Sequence, residues 1–161
     1  VYDTAGMEQY VVEEPIENID WTLSEDSLKN VLGYDCIMAT ADYHGRKWTA
    51  WFTPEIPLQA GPWKLAGLPG LILEADADNG VYSFVATGIQ NTTRQISQVY
   101  LADRYEKVSR KDLLKAQRSF LDNPLGQINA KYGDKGVVVS GDVKFADASV
   151  VDLIESDYHD K

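Results

Sequence analysis

The sequence predicts an α+β fold dominated by a curved antiparallel sheet of about six to eight strands, with one helix at 109–121. Two hairpin patterns at 34–53 and 71–87, followed by a change to helical spacing, support this fold class. A half-barrel with the helix in its concave face would suit the pattern. Because no repeat or linker divides the 161 residues, we expect a single domain, 1–161, with a frayed tail at 152–161.

The first hairpin pattern joins two segments, 34–41 and 46–53, that are rich in aromatic and small apolar residues. A two-residue loop at 44–45 predicts a tight turn, because the glycine accepts a positive φ. The resulting register places Ala41 opposite Trp48. Four apolar residues then share one face: Ile37, Ala39, Ala50 and Phe52.

The second hairpin pattern joins 71–77 to 81–87 through Asn79-Gly80, the strongest short signal for a type I′ turn. Pairing Asp78 with Val81 predicts one apolar face, made of Leu71, Leu73, Ala75, Ala77, Tyr82, Phe84 and Ala86. The opposite face is predicted to be mixed and partly solvated, with Ile72, Glu74, Asp76, Ser83, Val85 and Thr87.

Weaker patterns predict the remaining elements. Strands are expected at 7–12 and 94–102, and a last hairpin at 136–145. The polar residues that follow Trp21 favour a short helical turn, capped by Thr22 or Ser24, which stops at Gly33.

The helix at 109–121 is the best-defined helical prediction. Ser109 is expected to be its N-cap, with Asp112 at the third helical position. Apolar residues then recur at helical spacing, and Asn123-Pro124 is expected to end the helix.

The charge of the chain restricts its partners. Fifteen Lys and Arg against 25 Asp and Glu leave a net charge of −10. Nucleic acid and anionic membrane surfaces are therefore disfavoured, because both are negatively charged. No apolar run reaches the roughly 20 residues of a transmembrane helix. Since the chain begins Val1-Tyr2-Asp3, we expect a processed or trimmed product, with any signal peptide removed.

A proline- and glycine-rich connection between the two hairpins carries a specific motif, Gly67, Leu68, Pro69, Gly70, Leu71 and Ile72. This hexapeptide is the signature after which the GLPGLI family of the Bacteroidetes is named. The flanking segments 33–36, 45–57 and 61–64 match as well, so residues 20–90 resemble that family. From the residues themselves, Leu68-Pro69-Gly70 is predicted to form a tight turn with Gly70 in the left-handed conformation.

The resemblance implies an exported protein of unknown function, located in the periplasm or associated with the outer membrane of a Gram-negative bacterium. It implies no catalytic residue. The hexapeptide is accordingly interpreted as a structural motif.

Two sets of residues were weighed as catalytic or metal sites. Cys36 and His44 could form a nucleophile pair, but along one strand they would lie on the order of 25 Å apart. Glu74, Asp76 and Asp78 alternate on one strand face, for which a solvated surface is the favoured interpretation over Ca²⁺ binding or acid–base catalysis. The sequence therefore predicts no catalytic residue, no metal site and no cofactor.

Four aromatic residues around the first hairpin and the connection are the candidate binding residues: Tyr43, Trp48, Trp51 and Trp63. They are interpreted either as core or as the lining of a groove for an apolar ligand or a partner protein.

Three functions are left open by the sequence. The first is a non-catalytic binding or interaction module of the cell envelope, with an exposed apolar patch that includes Trp51 or Trp63. The second is a carrier of an apolar ligand in a cavity between sheet and helix. The third is a hydrolase, which requires His44 or the carboxylates at 74–78 to lie in a concave pocket beside a nucleophile. The expected partner is a protein or an apolar ligand, with no nucleic acid.

Overall fold

A computed structural model describes residues 1–95, 104–135 and 154–155. The chain divides into two compact units. Among the described residues, the first unit contains 1–14 and 104–135, and the second contains 15–95 and 154–155. The single-domain expectation stays a prediction.

The second unit is built on a five-stranded sheet that runs in sequence order and does not close. Its strands are β3 (Thr22–Val31), β4 (Tyr34–Tyr43), β5 (Arg46–Thr53), β6 (Leu71–Ala77) and β7 (Tyr82–Val85). Every neighbouring pair is antiparallel. The predicted α+β, mainly antiparallel class is confirmed.

The first unit combines a small sheet with two helices. The sheet contains β1 (Tyr2–Ala5), β2 (Glu8–Val11) and β8 (Glu106–Lys107), in the order β1-β2-β8. The helices are α1 (Arg110–Asp122) and α2 (Pro124–Tyr132), and α1 packs against β1. The predicted helix is confirmed as α1, while the described strands form two sheets in place of one and a second helix follows α1.

The boundary between the two helices explains the missed helix. Ser109 caps α1 as predicted, with its Oγ accepting from the Asp112 backbone N–H at 3.2 Å. Asn123 ends α1, and its Oδ1 also accepts from the Gly126 N–H at 3.0 Å, which caps α2. Pro124 occupies the first turn of α2, where its missing N–H costs nothing. Asn123-Pro124 therefore ends α1 and begins α2.

The helical turn predicted after Trp21 is wrong, because these residues form the edge strand β3. The polar run is accommodated by a register shift between Ser24 and Leu28, where the β3–β4 ladder is interrupted. Pairing with β4 overrides the local preference for a cap. Gly33 does end the element, as a turn residue with φ 89°.

The first hairpin forms in the predicted register, with Ala41 opposite Trp48. Both turn residues are left-handed: His44 has φ 51° and Gly45 has φ 77°. All four residues of the predicted shared face belong to the main core cluster or pack against it.

The second hairpin has the predicted register but a different turn. Ala77 pairs with Tyr82, and residues Asp78–Gly80 form a 3₁₀ turn in place of the two-residue type I′ loop. The side chain of Asp78 accounts for the difference. Its Oδ1 accepts from the Lys47 backbone N–H at 3.0 Å, and this contact holds Asp78 against β5 and out of the β6–β7 ladder.

The apolar face predicted for the second hairpin is correct at Ala75, Ala77, Tyr82 and Phe84 and wrong closer to the connection. The β5–β6 register shifts between Trp51 and Phe52. Ile72 consequently lies in the main core cluster. Leu73 is buried with Val31 and Cys36 in a second cluster, against which Leu71 and Ala86 pack.

Some predictions fall outside the described residues. The hairpin at 136–145 and most of the strand at 94–102 lie there, and residues 94–95 are not in a strand. Of the tail, the structure describes only Ile154 and Glu155.

Candidate functional site

Trp48 belongs to the interior of the second unit. Its side chain is fully buried, and its indole stacks on Trp63, with ring centroids 5.6 Å apart, and on Phe84 at 6.2 Å. Its Nε1–H is buried with no hydrogen-bond partner in the described part of the chain. Trp48 is a core residue in this structure.

Tyr43 and Trp63 extend the same aromatic stack towards the turn. Tyr43 is buried, and its ring lies 5.8 Å from that of the half-buried Trp63. The side chain of His44 is 7% exposed, between Tyr43 and Trp63, with its Nε2 3.7 Å from Glu17 Oε2. The predicted aromatic cluster therefore exists around Tyr43, Trp48 and Trp63 as packing within the unit.

The Cys36 thiol lies in the second cluster and is fully buried. Its Sγ donates to the Tyr34 carbonyl at 3.6 Å, and burial raises its pKa. A nucleophilic cysteine requires a lowered pKa, whereas burial shifts the pKa of Cys36 in the opposite direction.

The hexapeptide 67–72 leads into β6, and its last two residues pair with Phe52 and Thr53 of β5. Leu68 is 1% exposed, and Gly67 carries the positive φ of 92°. Gly70 is not left-handed, contrary to expectation. It is required for space, since a Cβ there would lie 2.1 Å from the carbonyl oxygen of Thr53. The motif therefore allows the connection to pack closely against the sheet.

The opposite side of the five-stranded sheet carries a different set of side chains, which we call the polar face. Its members are Thr22, Ser24, Met38, Thr40, Asp42, Lys47, Thr49, Trp51, Glu74, Asp76, Ser83 and Val85. All are exposed or half-buried, whereas Trp48 and Ala50, which point the other way on β5, are fully buried.

The strand registers align hydroxyl groups in one row across the polar face. Thr22 pairs with Thr40, Thr40 with Thr49, Thr49 with Asp76, and Asp76 with Ser83. The row runs across all five strands. It combines hydroxyls, which donate and accept, with one carboxylate, which accepts.

Trp51 lies in the next row of the polar face, two residues from Thr49 on β5. It pairs with Met38 on one side and Glu74 on the other. The Lys29 ammonium lies 5.4 Å from the centre of the Trp51 ring and forms an ion pair with Glu74. Of the predicted binding aromatics, Trp51 alone lies on the polar face.

An open concavity of about 680 Å³ lies at the turn-proximal part of the polar face, lined by Lys47, Thr49, Asp76, Asp78 and Gly80. The Asp78 carboxylate is engaged by the Lys47 backbone N–H, and its Oδ2 lies 3.5 Å from Arg46 Nη1. The described residues contain no group of three or more His, Cys, Asp or Glu side chains that could hold a metal ion.

Sequence reasoning missed the hydroxyl row and the concavity. It placed Asp76 and Asp78 on one face, but it gave Thr40, Lys47 and Thr49 no role. The row depends on the register of every strand pair, and in the sequence each threonine stands alone.

Neither helix among the described residues combines the length and apolar character required to cross a bilayer.

A family model described as a protein of unknown function (Porph_ging), from a family associated with the Bacteroidetes, matches residues 43–74. No curated protein matches the chain. The matched segment begins at Tyr43, at the end of β4, and ends within β6. It includes β5 and the whole hexapeptide. Over that segment, the chain is similar to this family of unknown function.

Proposed function

We propose that this chain is a non-catalytic binding module of the cell envelope and that the polar face of its five-stranded sheet holds the partner. The open concavity lined by Lys47, Thr49, Asp76 and Asp78 is the observation that carries the proposal. Binding sites are typically concave and present a few convergent polar groups, and this concavity has an ammonium, a hydroxyl and two carboxylates.

The location in the periplasm or at the outer membrane is part of the proposal. It is supported by the resemblance over residues 20–90. The net charge of −10 fits a partner that is neither nucleic acid nor an anionic lipid layer, because both would be repelled.

The non-catalytic part of the proposal rests on what surrounds the carboxylates. His44 packs on the Tyr43–Trp63 side of the sheet, and the pKa of Cys36 is raised by burial. No histidine or cysteine lines the concavity among the described residues. Asp76 and Asp78 therefore lack an activated nucleophile of these types beside them.

The test is capture from an envelope extract on immobilised protein. Thr49→Val/Asp76→Asn alters the polar face, while Asp20→Asn/Thr4→Val makes the same chemical changes at exposed positions outside it. We expect the control to recover the same material as the wild type and the polar-face variant to lose it. Equal recovery by both variants would overturn the proposed location of the site, and turnover of the captured material would overturn the non-catalytic assignment.

A second candidate function, carriage of an apolar ligand, is favoured by one observation in the first unit. A concavity of about 290 Å³ lies between the β1–β2 hairpin and the two helices, lined by Ala5, Met7, Glu8, Phe120, Gln127, Ala130 and Lys131. Met7, Phe120 and the two alanines provide an apolar wall. Glu8 and Lys131 form an ion pair at its edge.

The carrier function predicts saturable binding of a fatty acid such as dodecanoate. Ala130→Leu would fill part of this concavity and weaken that binding, with little effect on the fold because Ala130 is exposed. Identical dodecanoate titrations for wild type and Ala130→Leu would count against the carrier function.

A further inference from the structure

We infer that the ligand of the polar face is a neutral sugar chain, an inference that rests on the proposed binding function and specifies its chemistry. The ligand class follows from the groups that line the concavity. In the described part of the chain, the Lys47 ammonium, the Thr49 hydroxyl and the Asp76 carboxylate form no hydrogen bond or ion pair through their side chains. Their hydrogen-bonding capacity is available to a ligand.

The mixture of donors and acceptors selects the ligand class. A carboxylate accepts from a ligand O–H, an ammonium donates to a ligand oxygen, and a threonine hydroxyl does both. Adjacent hydroxyls on a sugar ring satisfy all three kinds of group, because each is donor and acceptor at once. Hydrogen bonds to charged groups are the stronger ones, which favours Asp76 and Lys47 as the principal contacts.

Other ligand classes fit less well. A phosphate, sulfate or uronate group would face Asp76 and Asp78 in a protein of net charge −10. A metal ion would face the Lys47 ammonium, and the described residues provide no cluster of three metal-ligating side chains. A purely apolar ligand would leave the lysine and Asp76 desolvated without partners.

The shape of the polar face favours a chain over a single sugar. The hydroxyl row crosses five strands, and with neighbouring strands about 4.8 Å apart it extends over roughly 19 Å. Thr22 and Ser83 at its two ends are exposed. A ligand lying along the row can contact each strand in turn, and an oligosaccharide has both the length and the repeated hydroxyls to do so.

Trp51 supplies the apolar component that sugar recognition requires. It lies one row from Thr49 on the same face and is half-buried. The C–H bonds of a sugar ring carry partial positive charge and pack against the electron-rich face of an aromatic ring. Lys29, which forms an ion pair with Glu74, lies over the Trp51 ring with its ammonium 5.4 Å from the ring centroid, so the other side of the indole is the one that a sugar would contact.

The experiment is a titration followed by amide chemical shifts in NMR. The probes are neutral hexasaccharides of β-linked glucose, α-linked glucose, mannose and N-acetylglucosamine, with a hexagalacturonate as anionic control and a hexapeptide as protein control. We expect at least one neutral hexasaccharide, at millimolar concentration, to shift the amides of β5 and β6 around Thr49 and Asp76 in a saturable manner.

The matched variants locate the site. Thr49→Val/Asp76→Asn should weaken the binding by about tenfold or more, since it removes the charge from one hydrogen-bonding group and the hydroxyl from the other. Asp20→Asn/Thr4→Val should bind as the wild type does. Trp51→Ala provides a second variant in which the polar row is intact but the stacking surface is gone, and it should also bind more weakly.

The outcomes separate this inference from the proposed function. If no neutral hexasaccharide shifts these amides, or if only the hexagalacturonate or the hexapeptide does so, the sugar inference is overturned. Capture from envelope extract that still depends on Thr49 and Asp76 would then leave the binding function standing with another ligand. Sugar binding that is unaffected by both polar-face variants would overturn the assignment to this surface.

Discussion

The two faces of the five-stranded sheet use the same strands for opposite purposes. On one face, Trp48 is fully buried between Trp63 and Phe84; on the other, Trp51, three residues along the same strand, stands half-buried beside a row of hydroxyls. Alternation along β5 is sufficient to separate them. Two tryptophans in one short segment can therefore have different roles, and their position relative to the pleat decides which.

The largest effect is expected at the buried face. Trp48→Ala should lower the free energy of unfolding by about 4 kcal/mol, because it removes a large side chain from a packed core. Trp51→Ala should cost about 1–2 kcal/mol, since that ring is only partly buried. Urea denaturation followed by circular dichroism measures both. Equal losses for the two variants would break the distinction between the faces.

Trp48→Phe sharpens the same measurement. It keeps an aromatic ring in the stack and removes the Nε1–H, which has no partner among the described residues. We expect it to cost about half as much as Trp48→Ala or less, because an unpaired buried donor is itself unfavourable. A loss as large as that of the alanine variant would show that the indole N–H is satisfied in solution.

The next largest effect is expected where the connection meets β5. Gly70→Ala would place its Cβ against the Thr53 carbonyl and should destabilise the protein by about 3 kcal/mol. Gly88→Ala is the matched control, because a Cβ there has no neighbour within 4 Å and should change stability by less than about 0.5 kcal/mol. Thermal unfolding of the two variants gives the comparison. Similar Tm values would contradict the close approach.

A smaller, pH-dependent effect is expected on the side of Trp51, where Cys36 is buried in the second cluster. Burial raises the pKa of this thiol above its ordinary value of 9.0, so above pH 9.0 the unfolded state loses the thiol proton more readily than the folded state. The contribution of Cys36 to stability is therefore present below that pH and declines as the pH rises through 9.0.

Urea titrations of wild type and Cys36→Ala across this pH range isolate the thiol, since other groups titrate in both proteins. The difference in unfolding free energy between the two should shrink as the pH rises. A constant difference would indicate that Cys36 is accessible to water.

The smallest effect on stability is expected from the polar face itself. Thr49→Val/Asp76→Asn should change the free energy of unfolding by no more than about 0.5 kcal/mol, because neither side chain has a polar partner within the described residues. Denaturation in urea at neutral pH is the measurement. A loss comparable with that of Trp48→Ala would mean that these groups stabilise the fold and are not available to a ligand.

The parts of the fold that the sequence could predict are those specified locally. His44-Gly45 determines the register of the first hairpin, and the capping residues Ser109 and Asp112 determine where α1 begins. The second hairpin also has its predicted register, although its turn takes another form. These signals act over a few residues, so they can be recognised without knowing the partner strands.

The errors arose where a tertiary contact outweighs a local preference. The residues after Trp21 favour a cap but pair with β4, and the Asp78 side chain bonds to Lys47 and opens the turn. The shift between Trp51 and Phe52 moved Ile72 to the other side of the sheet from its predicted place. A register shift of one residue moves the following side chains to the opposite face of the sheet, and no local sequence pattern predicts this shift.

The candidate site was predictable only in part. Trp51 and Asp76 stood out as an aromatic residue and a member of a carboxylate series, but the row formed by Thr40, Thr49 and Ser83 exists only once the strands are aligned. Tyr43, Trp48 and Trp63 were grouped correctly as neighbours. Their burial depends on the connection folding over them, which composition alone does not reveal.

Arg46 of β5 contacts Ile154, which follows it in the chain by more than 100 residues but belongs to the same unit. Its Nε donates to the Ile154 carbonyl at 2.8 Å, and Lys64 holds Glu155 at 2.6 Å. During synthesis on the ribosome, the hairpins therefore emerge long before the residues that complete their packing. The Arg46 guanidinium is 4% exposed in the finished protein. In a nascent chain that stops before Ile154, it would lack this carbonyl acceptor.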